Sequence, residues 1–121
     1  MLTSSAKSKG RVLQKLVAAE LLAISAVFGL EKDDIVSRGM GQSGEDVILT
    51  PAAKKVFGDL RVECKNTESC NVTTEFWSHA AKYPDSDNIL VSKRNKTTPL
   101  VTLKLSHFIR LLGRSLWTVK E

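Results

Sequence analysis

The stretch that decides the fold is Gly44–Asn66, GEDVILTPAAKKVFGDLRVECKN. It reads as strand, short helix, strand. Asp46-Val47-Ile48-Leu49 is a short apolar run headed by a carboxylate. Thr50 then offers a side-chain oxygen to the free N–H groups of a helix start, and Pro51 falls at the first helical position, where no N–H is needed. Ala52 to Phe57 is the short helix, with Gly58 as its stop. Leu60 to Cys64 is the second strand. Side chains alternate across a strand, so Glu63 and Lys65 point to one face and Cys64 to the other.

Upstream, Lys7 to Phe28 is dominated by Ala, Leu, Lys and Gln without proline, which predicts a long helix closed by Gly29. Residues 1–6 are expected to form a flexible tail ahead of a single domain, residues 7–121. Residues 31–45, EKDDIVSRGMGQSGE, read as a Gly-rich loop with a short strand around Ile35 and Val36. Downstream, Thr73 or Thr74 caps a helix that runs through Trp77 to about Lys82 and ends at Tyr83-Pro84-Asp85. Asn88 to Lys93 and Leu100 to Leu105 are further strands, separated by the basic turn KRNKTT. Ser106 caps a last helix, His107 to Leu112, stopped by Gly113. The expected fold class is α/β, a single domain with a central mixed β-sheet flanked by helices. The short apolar strands suit a sheet covered by helices.

The chain has 121 residues, 42% apolar and 26% charged, which is enough for one domain with one core. A net charge of +5 directs it to polyanions: nucleic acid first, an acidic membrane surface or acidic protein next. Cys64 and Cys70 make neither a disulfide framework nor a Cys/His zinc cluster, and read as free thiols of a reducing compartment. Lys7, Lys9, Arg11 and Lys15 precede the run LVAAELLAISAVFGL, but Glu20 interrupts it, and it is shorter than the ~20 residues of a membrane span. A soluble, cytoplasmic protein with no membrane partner is expected.

Strands that follow one another in sequence usually pair or lie close. If these do, Asp46 comes near Glu63 and the two can share a divalent cation. A hard cation such as Mg²⁺ takes oxygen ligands and keeps several waters. It activates water and stabilises the leaving oxygen of a phosphodiester. A lysine beside it orients the water or neutralises developing charge. The plainer reading of Glu63 and Lys65 is a strand-end ion pair of little energetic weight. On the first helix, Arg11, Lys15, Ala18 and Leu22 share one face; Leu13, Leu16, Glu20, Ile24 and Val27 share the opposite one. Glu20 in an apolar stripe is costly unless paired, protonated or metal-bound. It is either a glutamate snorkelling at the stripe's edge or a carboxylate aimed at the same site. Lys93-Arg94-Asn95-Lys96 suits phosphate contacts or a solvated turn. Trp77 and Trp117 read as core or interface anchors.

Lys9-Gly10-Arg11 before the long helix, Ser37-Arg38, Ser43-Gly44, Glu45-Asp46 and Glu63-Cys64-Lys65 form an ordered series. It resembles the PD-(D/E)XK nuclease superfamily, and within it the phage and archaeal Holliday junction resolvases, over residues 7–112. The resemblance implies a restriction-endonuclease-like core and a Mg²⁺-dependent endonuclease, with Mn²⁺ as the alternative metal. It implies Asp46 and Glu63 as metal ligands, the Cys64 backbone carbonyl as a third, and Lys65 as the catalytic lysine. It also implies a homodimer that sets two active sites across branched double-stranded DNA and reads its shape through backbone contacts. Lys9, Arg11, Ser37, Arg38, Ser43, His79, Lys93 and Arg94 would make those contacts. The chain departs from the pattern in three places. Glu45 stands where the family's proline precedes the aspartate. Gln14 stands where such resolvases carry a glutamate after Lys-Gly; Glu20 is the substitute, but on another face of the helix. His79 lies on the helix where relatives carry a glutamine.

Overall fold

The computed structural model describes residues 4–38 and 45–120. Helix α1 (Ser4–Ser25) is followed by a 3₁₀ turn (Ala26–Phe28), a second 3₁₀ turn (Lys32–Asp34) and strand β1 (Ile35–Ser37). Strand β2 (Val47–Leu49), helix α2 (Pro51–Phe57) and strand β3 (Leu60–Asn66) come next. Helix α3 (Val72–Lys82), strands β4 (Asp87–Lys93) and β5 (Leu100–Thr102), and helix α4 (Leu105–Lys120) complete the chain. The five strands lie side by side in chain order. β1–β2, β2–β3 and β4–β5 are antiparallel; β3–β4 is parallel, with α3 as the crossover between them. The expected α/β domain with a helix-flanked mixed sheet is therefore the observed one.

The sheet has two packed faces, and strand alternation sorts residues between them. Val62 and Cys64 of β3, Val91 of β4, and Val47 and Leu49 of β2 share a core with Leu13 and Ala18 of α1. Leu90 packs with Phe76 and Ala80 of α3 on the other side. Glu63 and Lys65 alternate with Cys64 and so project on the α3 side, as the alternation predicts.

Local chemistry explains the element ends. Ser25 is buried, and its Oγ donates to the Leu21 carbonyl at 2.7 Å. Such a back-bond competes with the helix ladder just where the α-helix tightens to 3₁₀. Gly29 then ends the turn at φ 85°, a left-handed conformation that glycine adopts without steric cost. Thr50 caps α2 as expected, its Oγ1 accepting from Ala53 N, with Pro51 in the first turn.

Several boundaries differ from expectation. α1 begins at Ser4, so residues 4–6 of the expected tail are helical. The cap of α3 is Asn71, whose side chain accepts from Thr74 N; asparagine outcompetes threonine in that role. β5 ends at Thr102, and Gly113 lies inside α4. A helix-interior glycine costs only ~1 kcal/mol relative to alanine, which is too little by itself to stop a helix. The stripe of α1 is also rotated: Leu13 and Ala18 are buried, whereas Leu16, Glu20, Ile24 and Val27 are exposed. Trp77 and Trp117 are exposed as well, so neither is a core anchor.

Candidate active site

Asp46 is placed by backbone first. Its N–H donates to the Val62 carbonyl at 2.9 Å, and its carbonyl accepts from Arg38 N at 2.8 Å. It is thus held between β1 and β3 at the entry to β2. Asp46 is 3% exposed, and its side chain accepts from both sides: Oδ2 from the Cys64 backbone N–H at 2.7 Å, Oδ1 from Arg38 Nη2 at 2.9 Å. Charge-assisted bonds of this kind are the strong ones, so the carboxylate is oriented before any ligand arrives.

Glu63 sits beside it. Its carboxyl is pushed up to about 7, first by burial and next by the negative charge of Asp46, with a hydrogen bond between the two side chains acting in the same direction. Lys65 and Lys82 oppose the shift. Lys65 Nζ lies 3.9 Å from Glu63 Oε1 and 3.7 Å from Glu75 Oε2. Asp46, Glu63 and Lys65 are therefore brought together from two strands.

His79 of α3 buttresses this group from below. It is 2% exposed, so it lies beneath the surface and cannot make the phosphate contact expected of it. Its Nε2 lies 3.1 Å from the Arg61 carbonyl, an acceptor, so Nε2 carries the hydrogen and the neutral ring offers its Nδ1 lone pair. Burial lowers the His79 pKa. Nδ1 has no hydrogen-bond partner and faces Glu63 Oε2 at 3.6 Å. With the ring neutral, this contact is not an ion pair.

Asp46 and Glu63 are two oxygen donors that could hold a hard dication such as Mg²⁺. Each Asp46 oxygen has a second lone pair beyond the hydrogen bond it accepts. Among the described residues no group of three His, Cys, Asp or Glu is arranged around one point, so further positions would fall to water and backbone oxygen. The Cys64 side chain is buried on the α1 side, its thiol pushed up to about 12 by burial and the two carboxylates, so only its backbone faces the site.

The remaining expected residues are scattered. Gln14 and Glu20 are on α1, which packs on the opposite face of the sheet, and neither bonds to Asp46, Glu63 or Lys65. Their expected place in the site is corrected by that packing. Arg38 is bound to Asp46 instead of facing solvent. Ser37 ends β1, half-buried. Lys9 Nζ donates to Asn95 Oδ1 at 2.8 Å and lines, with Lys93 and Asn66, a cavity on the α1 side. Arg11 and Arg94 are exposed. Ser43 lies outside the described residues.

Arg61 went unnoticed in the sequence, though it shares the face of Glu63 and Lys65 by simple alternation. It bonds Glu45 Oε1 at 3.0 Å and Asp59 Oδ1 at 3.1 Å, and its guanidinium stacks 4.8 Å from the Tyr83 ring centre. Glu45 is thus tied into a lateral brace of β3. No protein-family model, curated protein sequence or solved structure matches this chain.

Proposed function

We propose that this chain is a divalent-cation-dependent endonuclease that hydrolyses phosphodiesters in branched DNA, resolving four-way junctions as a homodimer. The observation that carries the reading is the pairing of the Asp46 and Glu63 carboxyls with Lys65 3.9 Å from Glu63. Three such groups on one face of a sheet, in a chain of net charge +5, suit a site for a polyanion's phosphodiester.

Asp46 and Glu63 would hold Mg²⁺ or Mn²⁺. The metal, when bound, supplies Lewis acidity to the phosphoryl group and a more acidic water. The chain supplies the rest. Arg38 and the Cys64 N–H fix the aspartate. Lys65, on the exposed side of Glu63, directs its ammonium at the reacting phosphate or the attacking water. His79 and Arg61 hold β3 and the Glu63 side chain from the α3 side.

A resolvase makes two cuts and therefore needs a second copy. The amphipathic helix α4 supports one: Leu105, Phe108, Ile109, Leu112 and Leu116 recur at helical spacing and are exposed. Large exposed apolar stripes mark contact surfaces.

The test is cleavage of end-labelled four-way junction and matched linear duplex, with Mg²⁺ or EDTA, by wild type and Asp46→Asn. Symmetric paired cuts in the junction alone, absent with EDTA and in the variant, are expected. Equal cutting of both substrates would leave a nuclease without junction preference. Binding that persists in EDTA with no cutting anywhere would replace the enzyme with a nucleic-acid-binding protein.

A further inference from the structure

Beyond Lys65, on the same face of the sheet, lies a cavity of about 460 Å³ whose lining includes Thr67, Cys70, Ser92, Arg94, Thr98 and Leu100. It opens at the carboxyl ends of the parallel strands β3 and β4, the edge at which open α/β sheets take ligands. Ser92 is the register partner of Lys65 across those strands, so its side chain leaves the sheet beside the lysine. Ser92 is 7% exposed, lines the cavity and makes no side-chain hydrogen bond to any described residue. Its hydroxyl therefore faces the cavity and bonds whatever occupies that space, water or a ligand.

Arg94 brings a cation to the lining of the cavity, and the wall is fixed. The guanidinium of Arg94 has no ion pair among the described residues. Its backbone is locked by Thr97, whose Oγ1 accepts from Arg94 N at 3.2 Å and donates to Arg94 O at 2.9 Å. Glu68 Oε1 accepts from Asn95 N, tying the loop after β3 to the turn after β4. The opening of α3 adds the positive end of an 11-residue helix to the same cavity, where Val72 is part of the lining.

We infer that this cavity binds a backbone phosphate of the DNA strand, one nucleotide position away from the bond cut at Asp46 and Glu63. Arg94 supplies the charge, Ser92 and Thr98 the hydroxyl donors, and Leu100 an apolar wall for the attached sugar. The inference rests on the proposed nuclease reading for its substrate, but it concerns binding and is tested by binding.

The experiment measures affinity for four-way junction DNA in EDTA over a range of salt, for wild type, Ser92→Ala, Arg94→Gln and Asp46→Asn. A 5′-phosphorylated dinucleotide and inorganic phosphate are titrated in parallel into ¹⁵N-labelled wild type. Arg94→Gln is expected to weaken binding about tenfold and to reduce the salt slope by about one, the change for one lost phosphate contact. Ser92→Ala is expected to weaken binding about threefold with the slope unchanged. Dinucleotide should shift the amides of Thr67, Ser92 and Thr98, and inorganic phosphate should do so only weakly. Unchanged affinity and slope in both variants, in a wild type that cuts DNA, overturns the cavity and keeps the nuclease. Weakened binding in both variants, in a wild type that cuts nothing, keeps the cavity and removes the nuclease. A wild type that binds no DNA, with no amide shifts from the dinucleotide, overturns the cavity as well.

Discussion

Glu63 carries a raised carboxyl pKa in the candidate site, and its protonation makes a pH prediction. Its folded pKa is raised to about 7 from an ordinary 4.5, so the folded chain binds more protons than the unfolded one between those values. The stability it contributes is full below 4.5 and is lost as pH rises through about 7. On the proposed reading a divalent cation would bind the deprotonated pair, so the rise in melting temperature caused by Mg²⁺ should grow across the same window. Thermal melts between about pH 5 and pH 8, with Mg²⁺ or EDTA, check this. Glu63→Gln should abolish the growth; a Mg²⁺ shift that is flat with pH in wild type would sink the idea. Lys65 makes a separate prediction. Lys65→Met keeps the stem and removes the charge, and should lower single-turnover cleavage by on the order of 10²–10³-fold while junction affinity in EDTA falls little. A loss confined to affinity would make Lys65 a phosphate contact and nothing more.

At the scale of elements, the short helix between the two site strands depends on its cap. Thr50 Oγ1 accepts from Ala53 N at 3.3 Å and donates to Asp34 Oδ1 at 2.7 Å, so one hydroxyl joins the start of α2 to the turn before β1. Thr50→Ala should destabilise the fold by about 1 kcal/mol, read from urea unfolding, with Thr50→Ser restoring most of it. Helix α4 is attached more lightly. Arg110 reaches Asp87 of β4 through two hydrogen bonds, at 2.6 and 3.3 Å, and His107 is the buried residue among the described side chains of the helix. Asp87 is held below its ordinary pKa mainly by the Arg110 bond, and burial lowers the His107 pKa. Both contributions are present at neutral pH. The His107 contribution is lost as pH falls below about 6.5, and the Asp87 contribution falls away below about 3.8. Asp87→Asn should therefore raise amide hydrogen exchange in α4 while leaving β3 and β4 protected. Equal protection of α4 in both proteins would show that apolar packing alone holds the helix.

For the whole molecule, the exposed stripe of α4 makes the oligomer testable. Wild type should sediment as a dimer, and Leu112→Glu with Leu116→Glu should sediment as a folded monomer. In that monomer, paired cuts in a four-way junction should give way to single nicks. Paired cutting by a proven monomer would remove α4 from the proposed interface. Among the described residues no helix is long and apolar enough to cross a membrane, so the stripe is not part of a membrane-spanning helix.

Much of this protein was legible without coordinates, and the reason is local. The alternation in Arg61–Lys65 put Glu63 and Lys65 on one face, and Thr50-Pro51 marked the start of α2, because strand pleat and helix capping depend on neighbours in sequence. The order of the strands in the sheet then brought Asp46 to Glu63. Other features depended on what packs against what. The periodicity of α1 defines two faces but not which of them meets the sheet, so an edge glutamate and one aimed at the site were both open for Glu20, which is exposed. Nothing in FWSHAAK says that His79 is the buried residue and Trp77 the exposed one; the approach of α3 to β4 decides that. The same holds for Ser92, an ordinary strand serine until β3 sets it beside Lys65 and the turn after β4 closes a cavity over it. Sequence determined the elements and the sidedness of each strand through short-range sterics and hydrogen bonding. Tertiary structure alone decided burial, the raised pKa of Glu63 beside Asp46, and the cavity next to them, because each requires surfaces distant in the chain to exclude water together.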